Sequence, residues 1–138
     1  MTIIDQLIEI YHNHEYWHRW KLSEDESSDY FVRMLAQGNI VVFMDGDTLA
    51  GYVEFYRITP EQWRRIMNDE PFYAFDENIT DGDICYINAI FIHEEYRDTE
   101  CMKYLKEMFF NLNSHCRYFV GIDNRHNKRI REKGVRNG

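Results

Sequence analysis

Three groups of residues in this chain have types and spacings that chemistry can use. HEYWH, residues 14 to 18, sets His14 and His18 four apart with Glu15 after the first. On a helix that spacing puts both imidazoles on one face, where a zinc ion could sit while the glutamate activates a bound water. Such a site needs a third protein ligand downstream, and His12, His93, His115 and His126 stand at no metal-ligand spacing. His14 and His18 instead extend the stripe begun by Ile4, Leu7 and Tyr11, so they read as histidines at a core edge and no metal is expected. The second group lies in GYVEFYRI, where Glu54 alternates with Tyr52 and Tyr56; on a strand all three share one face. A carboxyl group among aromatics is a candidate base, against the plainer reading of a solvent-facing residue on a half-exposed sheet. The third group is Cys85, Cys101 and Cys116, an odd number with no CxxC, which reads as free thiols in a reducing cytoplasm. Cys101 and Cys116 fall where a small apolar side chain suits a core better than a nucleophile.

The elements that must position these groups follow from local signals. Thr2 can cap a helix over residues 3 to about 20, with Ile4, Leu7, Ile8 and Tyr11 inward. Ser23 and Glu26 in SEDE spell a capping box for a second helix, whose Phe31, Met34 and Leu35 face inward and which Gly38 ends. NIVVFM and TLAGYVEFYRI are strands joined at Asp45-Gly46, a strong hairpin signal. TPEQ starts a short helix with Thr59 at the cap and Pro60 at the first helical position; it runs through Met67 before Pro71. The acidic stretch from Asp69 to Asp83 reads as a loop, either solvated or offering a face to basic partners. DICYINAIFI is a long strand, Thr99 opens an amphipathic helix carrying Cys101, Leu105, Met108, Phe109 and Leu112, RYFVGID is a strand, and NKRIREKG is a last short helix. Strand, helix, strand near the end implies parallel pairing, hence an α/β class with a mixed central sheet and flanking helices.

Composition bounds the function. The chain has 138 residues, 44% of them hydrophobic and 16% aromatic, which fits a packed core and excludes a disordered chain. No apolar run is long enough to span a bilayer and no signal peptide opens the sequence, so no membrane partner is expected. The net charge of −8 disfavours a nucleic-acid surface, although residues 117 to 138 hold seven Lys or Arg against Asp123 and Glu132. Trp17, Trp20 and Trp63 read as packing residues.

From Asn39 onward the sequence resembles the GNAT acyltransferase superfamily over about 100 residues. The hairpin NIVVFMDGDTLAGYVEFYRI is similar to that family's second and third strands. YINAIFIHEEYRDTECMKYLKEMF is similar to its acetyl-CoA-binding segment, and VGIDNRHNKRIREKGV to the following strand and helix. The resemblance implies a single domain over residues 1 to 138 and acetyl-CoA as cofactor. It implies that the strand from Ile87 to Ile92, with Phe91 and Ile92 as cofactor-binding candidates, splays from the strand at Tyr118 to Ile122 and pairs with the cofactor arm. It also implies a loop after Arg97 offering helix N-terminal N–H groups to the pyrophosphate. Arg97, Thr99 and Lys103 are then phosphate-side candidates, and Asn124 matches the family's asparagine, as cofactor contact or as helix cap.

The loop departs from the family's Arg/Gln-x-x-Gly-x-Gly/Ala: it reads RDTECM, with Glu100 and Met102 where glycines let phosphates approach the main chain. Arg131 stands where many members carry a tyrosine that protonates the leaving thiolate, and the sheet is expected to lack the family's last strands. Acyl transfer to an amine needs a base and an acid. Glu54 is the candidate base, Asn88 could position a water or make a structural hydrogen bond, and Tyr86 is a candidate acid or a packing residue. Two functions stay open: an acetyl-CoA-dependent N-acyltransferase acting on a small-molecule or protein amine, or an inactive scaffold binding another protein, with room for a homodimer. A small, acidic, aromatic-rich chain of this kind would suit a phage or mobile-element product.

Overall fold

The computed structural model describes residues 1–13, 22–97, 99–123 and 129–133. The elements run α1 (Ile3–Asn13), α2 (Glu24–Gln37), β1 (Ile40–Asp45), β2 (Thr48–Ile58), α3 (Pro60–Met67), β3 (Ile84–Ile92), α4 (Glu100–Leu112), β4 (Tyr118–Asp123) and β5 (Arg129–Lys133). HEYWH and the far half of the expected first helix lie outside the described residues.

The local signals place the helices. Ser23 Oγ accepts from Glu26 N–H while Glu26 returns a bond to Ser23 N–H, and Gly38 closes α2 in the left-handed region at φ +70°. Thr59 and Gln62 make the same reciprocal pair ahead of α3, with Pro60 at its start. Thr99 Oγ accepts from Cys101 N–H to start α4. Gly46, at φ +60°, makes the tight turn between β1 and β2.

The five strands lie in the order β1-β2-β3-β4-β5. β1 and β2 are antiparallel, as are β2 and β3, whereas β3 and β4 are parallel across the α4 crossover. One core layer joins α1, α2 and α3 to the sheet face carrying Tyr52, Tyr56 and Tyr86. The other packs Cys101, Leu105 and Phe109 of α4 against Val53, Phe55, Cys85 and Phe119. Gly51 lets β2 come close to this second layer: a Cβ there would stand 2.8 Å from Phe91 O and 3.1 Å from Cys101 Sγ.

The last element corrects the sequence reading. Arg129–Lys133 is not a helix but a strand antiparallel to β4, with Arg131 opposite Gly121 and Arg129 opposite Asp123. Lys, Arg and Glu favour helix, yet RIREK has only Ile130 to bury and cannot form an apolar helical stripe. The outer edge of β4 supplies a row of backbone partners instead. Arg131 therefore does not occupy a helical leaving-group position. The acidic stretch is a loop, as its sequence reads, with one short turn at Ala74–Asp76. Phe72 and Ile79 are buried in the core, and Glu77 accepts from Arg65 and Gln62, so this loop is tied down along much of its length. Among the described residues no helix is long and apolar enough to cross a membrane.

Candidate functional site

Glu54 is fully buried, at 0% exposure, which overturns the solvent-facing reading. It lies mid-way along β2, under α2, and Tyr30 of α2 donates its hydroxyl proton to Glu54 Oε1. Asn88 Nδ2 donates to the same oxygen at 3.2 Å and stands 3.5 Å from the Tyr30 hydroxyl. The Tyr30 and Tyr56 hydroxyls are 2.8 Å apart. A carboxyl group withdrawn from water needs such donors, because burial without them costs several kcal/mol.

A β-bulge lies beside this centre. Glu54 faces Ala89 across the ladder and Phe55 faces Ile87, so Asn88 is the extra residue on β3. Alternation from Tyr86 already puts Asn88 on the Glu54 face; the bulge adds Ala89 to that face, so two successive residues of β3 point the same way there. Asn88 thus makes a structural hydrogen bond. Tyr86 packs between the rings of Tyr56 and Trp63, 5.7 Å from each centroid, within the aromatic layer.

Burial first, and the negative charge of Glu54 second, push the hydroxyls of Tyr30, Tyr52 and Tyr56 well above the ordinary tyrosine value of 10.0. Folded values above unfolded ones give stability that is fully present below about pH 10 and is lost as pH rises through the raised values. Urea midpoints should therefore hold up to about pH 10 and then fall steeply, each tyrosine contributing up to about 1.4 kcal/mol per pH unit. The Tyr52 hydroxyl is buried with no hydrogen-bond partner among the described residues. Tyr52→Phe should then be neutral or stabilising by up to about 1 kcal/mol at pH 7 and should flatten the alkaline fall. A loss above about 2 kcal/mol at pH 7 would contradict this assignment.

Beyond this centre the sheet parts. β3 and β4 pair from Ile84 with Tyr118 to Ile87 with Gly121, and the register stops there. From Asn88 to Ile92, β3 continues beside β2 alone, while Ile122 and Asp123 continue beside β5. Backbone groups of β3 on the β4 side thereby face a gap that an extended ligand arm can enter.

The cofactor candidates divide. Phe91, Ile92 and Arg97 line one cleft of about 430 Å³, with Gln6, Ile10 and Glu94 opposite or beside them. Lys103 lies apart, on the outer face of α4 beside Lys106 and Phe110. Thr99 spends its hydroxyl oxygen on the Cys101 N–H, so one amide of the expected phosphate site is already taken. Glu100, exposed in the first turn, adds negative charge there. Asn124 lies outside the described residues. The sequence reading missed Tyr30. Its signal was present, since Ser27, Tyr30, Phe31 and Met34 are the buried positions of α2 at helical spacing.

A mixed sheet with a hairpin, a bulged long strand, an α4 crossover and a parting parallel pair defines the GNAT fold, and this chain has it. The sequence matches no family model and no curated protein. Solved structures that share the fold include an N-acetyltransferase from Staphylococcus aureus Mu50, at 13% identity and TM-score 0.55, covering 86% of this chain and 66% of that one. They also include the loading GNATL domain of CurA from Lyngbya majuscula, at 14% identity and TM-score 0.57, covering 86% and 60%. A third is the GphF GNAT-like decarboxylase in complex with isobutyryl-CoA, at 12% identity and TM-score 0.50, covering 75% and 53%. The chain thus spans less than two thirds of the length of each. Likeness at this identity is likeness of fold.

Proposed function

We propose that this protein binds an acyl-CoA along the parted edge of β3 and transfers the acyl group to an amine. The observation that carries the reading is the end of β3–β4 pairing at Ile87 and Gly121, next to the Asn88 bulge. A bound acyl-CoA supplies an acyl group activated as a thioester. The β3 backbone from Asn88 to Ile92 would hold its arm, with Phe91, Ile92 and Arg97 beside it. Asn124 remains a proposed contact on the same arm, and Thr99 and Lys103 proposed contacts on the phosphate side. Glu54 fixes the amide of Asn88 beside the bulge, which makes it a positioning residue in this scheme. Tyr86, held in the aromatic layer, remains the proposed acid. The acceptor is a small-molecule or protein amine.

The phosphate end fits less well, because Glu100 repels an anion at the α4 N-terminus by about 1–4 kcal/mol. That repulsion and the complete burial of Glu54 favour a second reading, a GNAT scaffold that has lost catalysis and binds another protein. Acetyl-CoA decides between them. A hundredfold excess over its dissociation constant should stabilise the protein by about 2.7 kcal/mol, read as a melting shift of several degrees. Glu100→Gly should tighten binding about tenfold. No shift at millimolar acetyl-CoA, for either variant, leaves only the binding scaffold.

A further inference from the structure

Lys103 stands apart from the cleft that holds the other cofactor candidates, and the groove it lines has a composition of its own. That groove measures about 470 Å³ and is formed by Lys103, Lys106, Glu107, Phe110 and Asn111. Spacings of three and four put these side chains along one stripe of α4, away from the buried Cys101, Leu105 and Phe109. Ring contacts fix how the stripe faces. Tyr104 meets Phe43 of β1, ring centroids 5.2 Å apart, whereas Phe110 meets Phe119 of β4 at the same distance. Phe110 therefore sets one wall of the groove on the β4 side of α4, the side where β3 and β4 part. Its ring is half-buried and held edge-on by both Phe109 and Phe119, each 5.2 Å away. Both lysines are exposed, and among the described residues neither has an ion-pair or hydrogen-bond partner.

We propose that this groove binds the adenosine 3′,5′-bisphosphate end of the acyl-CoA, the base against Phe110, the 3′-phosphate on Lys106 and the 5′-side phosphates on Lys103. The identity of the ligand rests on the acyl-CoA reading; the chemistry of the groove stands on its own residues. An aromatic ring held in one orientation is a stacking platform for a flat base. Two ammonium groups against the single carboxylate of Glu107 leave the groove one positive charge in excess, within a chain whose net charge is −8. That local excess favours phosphates, which a lysine holds as a point charge without demanding a rigid geometry. Asn111 offers an amide, donor and acceptor together, to the base edge, and Glu107 an acceptor to an amino group or a ribose hydroxyl. The seven-residue step from Lys103 to Phe110 spans about 10 Å of helix, room for a base, a ribose and a phosphate in line. The anchor thus lies along α4 and not at its N-terminus, where Glu100 carries a like charge and Thr99 occupies an amide.

The test gives the intact chain three ligands: adenosine 3′,5′-bisphosphate, acetyl-CoA, and acetyl-dephospho-CoA, which lacks the 3′-phosphate. Binding is read by calorimetric titration and by lysine footprinting. Saturating bisphosphate alone should slow the modification of Lys103 and Lys106 by an amine-reactive ester about tenfold, the other lysines keeping their rates. Loss of the 3′-phosphate should weaken acetyl-CoA about tenfold; Lys106→Ala should cost acetyl-CoA the same factor and leave acetyl-dephospho-CoA within about twofold of wild type. Phe110→Leu should weaken all three ligands alike, by about tenfold. Lys106 is exposed, so its replacement and the wild-type footprint decide the matter even if Phe110→Leu does not fold. Acetyl-CoA affinity indifferent to the 3′-phosphate and to Lys106→Ala would overturn the groove and leave acyl-CoA binding along β3 standing. Bisphosphate binding without acetyl-CoA binding would remove the acyl-transfer reading and keep the groove as a nucleotide site. No footprint at millimolar bisphosphate would overturn the proposal outright.

Discussion

Gly82→Ala should cost more than about 3 kcal/mol, enough to leave little folded protein at 37 °C. A Cβ at this position would stand 2.0 Å from Ile58 O, 2.1 Å from Ile58 C and 2.4 Å from Ile58 Cα. These are main-chain atoms at the end of β2, which cannot swing aside as a side chain does. Relief requires moving the 79–82 segment as a body. That segment is anchored on β2 by Arg57 N–H to Ile79 O at 2.7 Å and Gly82 N–H to Arg57 O at 3.2 Å. It also supplies Thr80 O to the Arg57 guanidinium. Moving it therefore breaks backbone bonds and loosens a buried cation together, which is why the loss exceeds ordinary overpacking. Urea denaturation with the exposed Asp81→Ala as control measures it, the control lying within about 0.5 kcal/mol of wild type. If the two variants unfold alike, this loop does not press on β2 as described.

Tyr30→Phe should cost about 2–3 kcal/mol at neutral pH, a large amount for one oxygen atom. The hydroxyl donates to the fully buried Glu54 Oε1 and also meets the Tyr56 hydroxyl at 2.8 Å. Hydrogen bonds to charged groups contribute more than neutral ones, and the partner left behind cannot recover water. The effect must be coupled to Glu54. In a Glu54→Gln background the cost should fall below about 1 kcal/mol, a coupling of about 2 kcal/mol in a double-mutant cycle. Strict additivity would show that Tyr30 acts through packing with Phe31, whose ring centroid is 5.2 Å away, and not through the carboxyl group.

Local signals made much of this molecule legible. The Ser23–Glu26 and Thr59–Gln62 boxes, Pro60, Gly38 and Gly46 each act within four residues of chain, and each stands where the spacing puts it. Glu54, Tyr52 and Tyr56 share a face because side chains alternate on a strand, and the resemblance in YINAIFIHEEYR led to the strand that parts from β4. Tyr30 was readable from its place on the inward stripe of α2, but a tyrosine on a half-buried helix carries no local mark of the carboxyl group it will meet. RIREK misled for a related reason: its helix formers meet a neighbouring strand edge that the segment itself does not encode.

The amino-acid sequence by itself determined where the helices begin and end, where the hairpin turns, and which residues share a strand face, because those choices depend on contacts a few residues apart. The tertiary structure alone decided that Glu54 is sealed beneath Tyr30, that a bulge sets Ala89 opposite it with the Asn88 amide bonded to it, and that Arg57 sits among neutral partners opposite Cys85. Those outcomes depend on groups brought together from 24 to 58 positions apart. Periodicity and propensity are blind at such separations: they register how a side chain faces its own element, not which distant group the packed sheet will set against it.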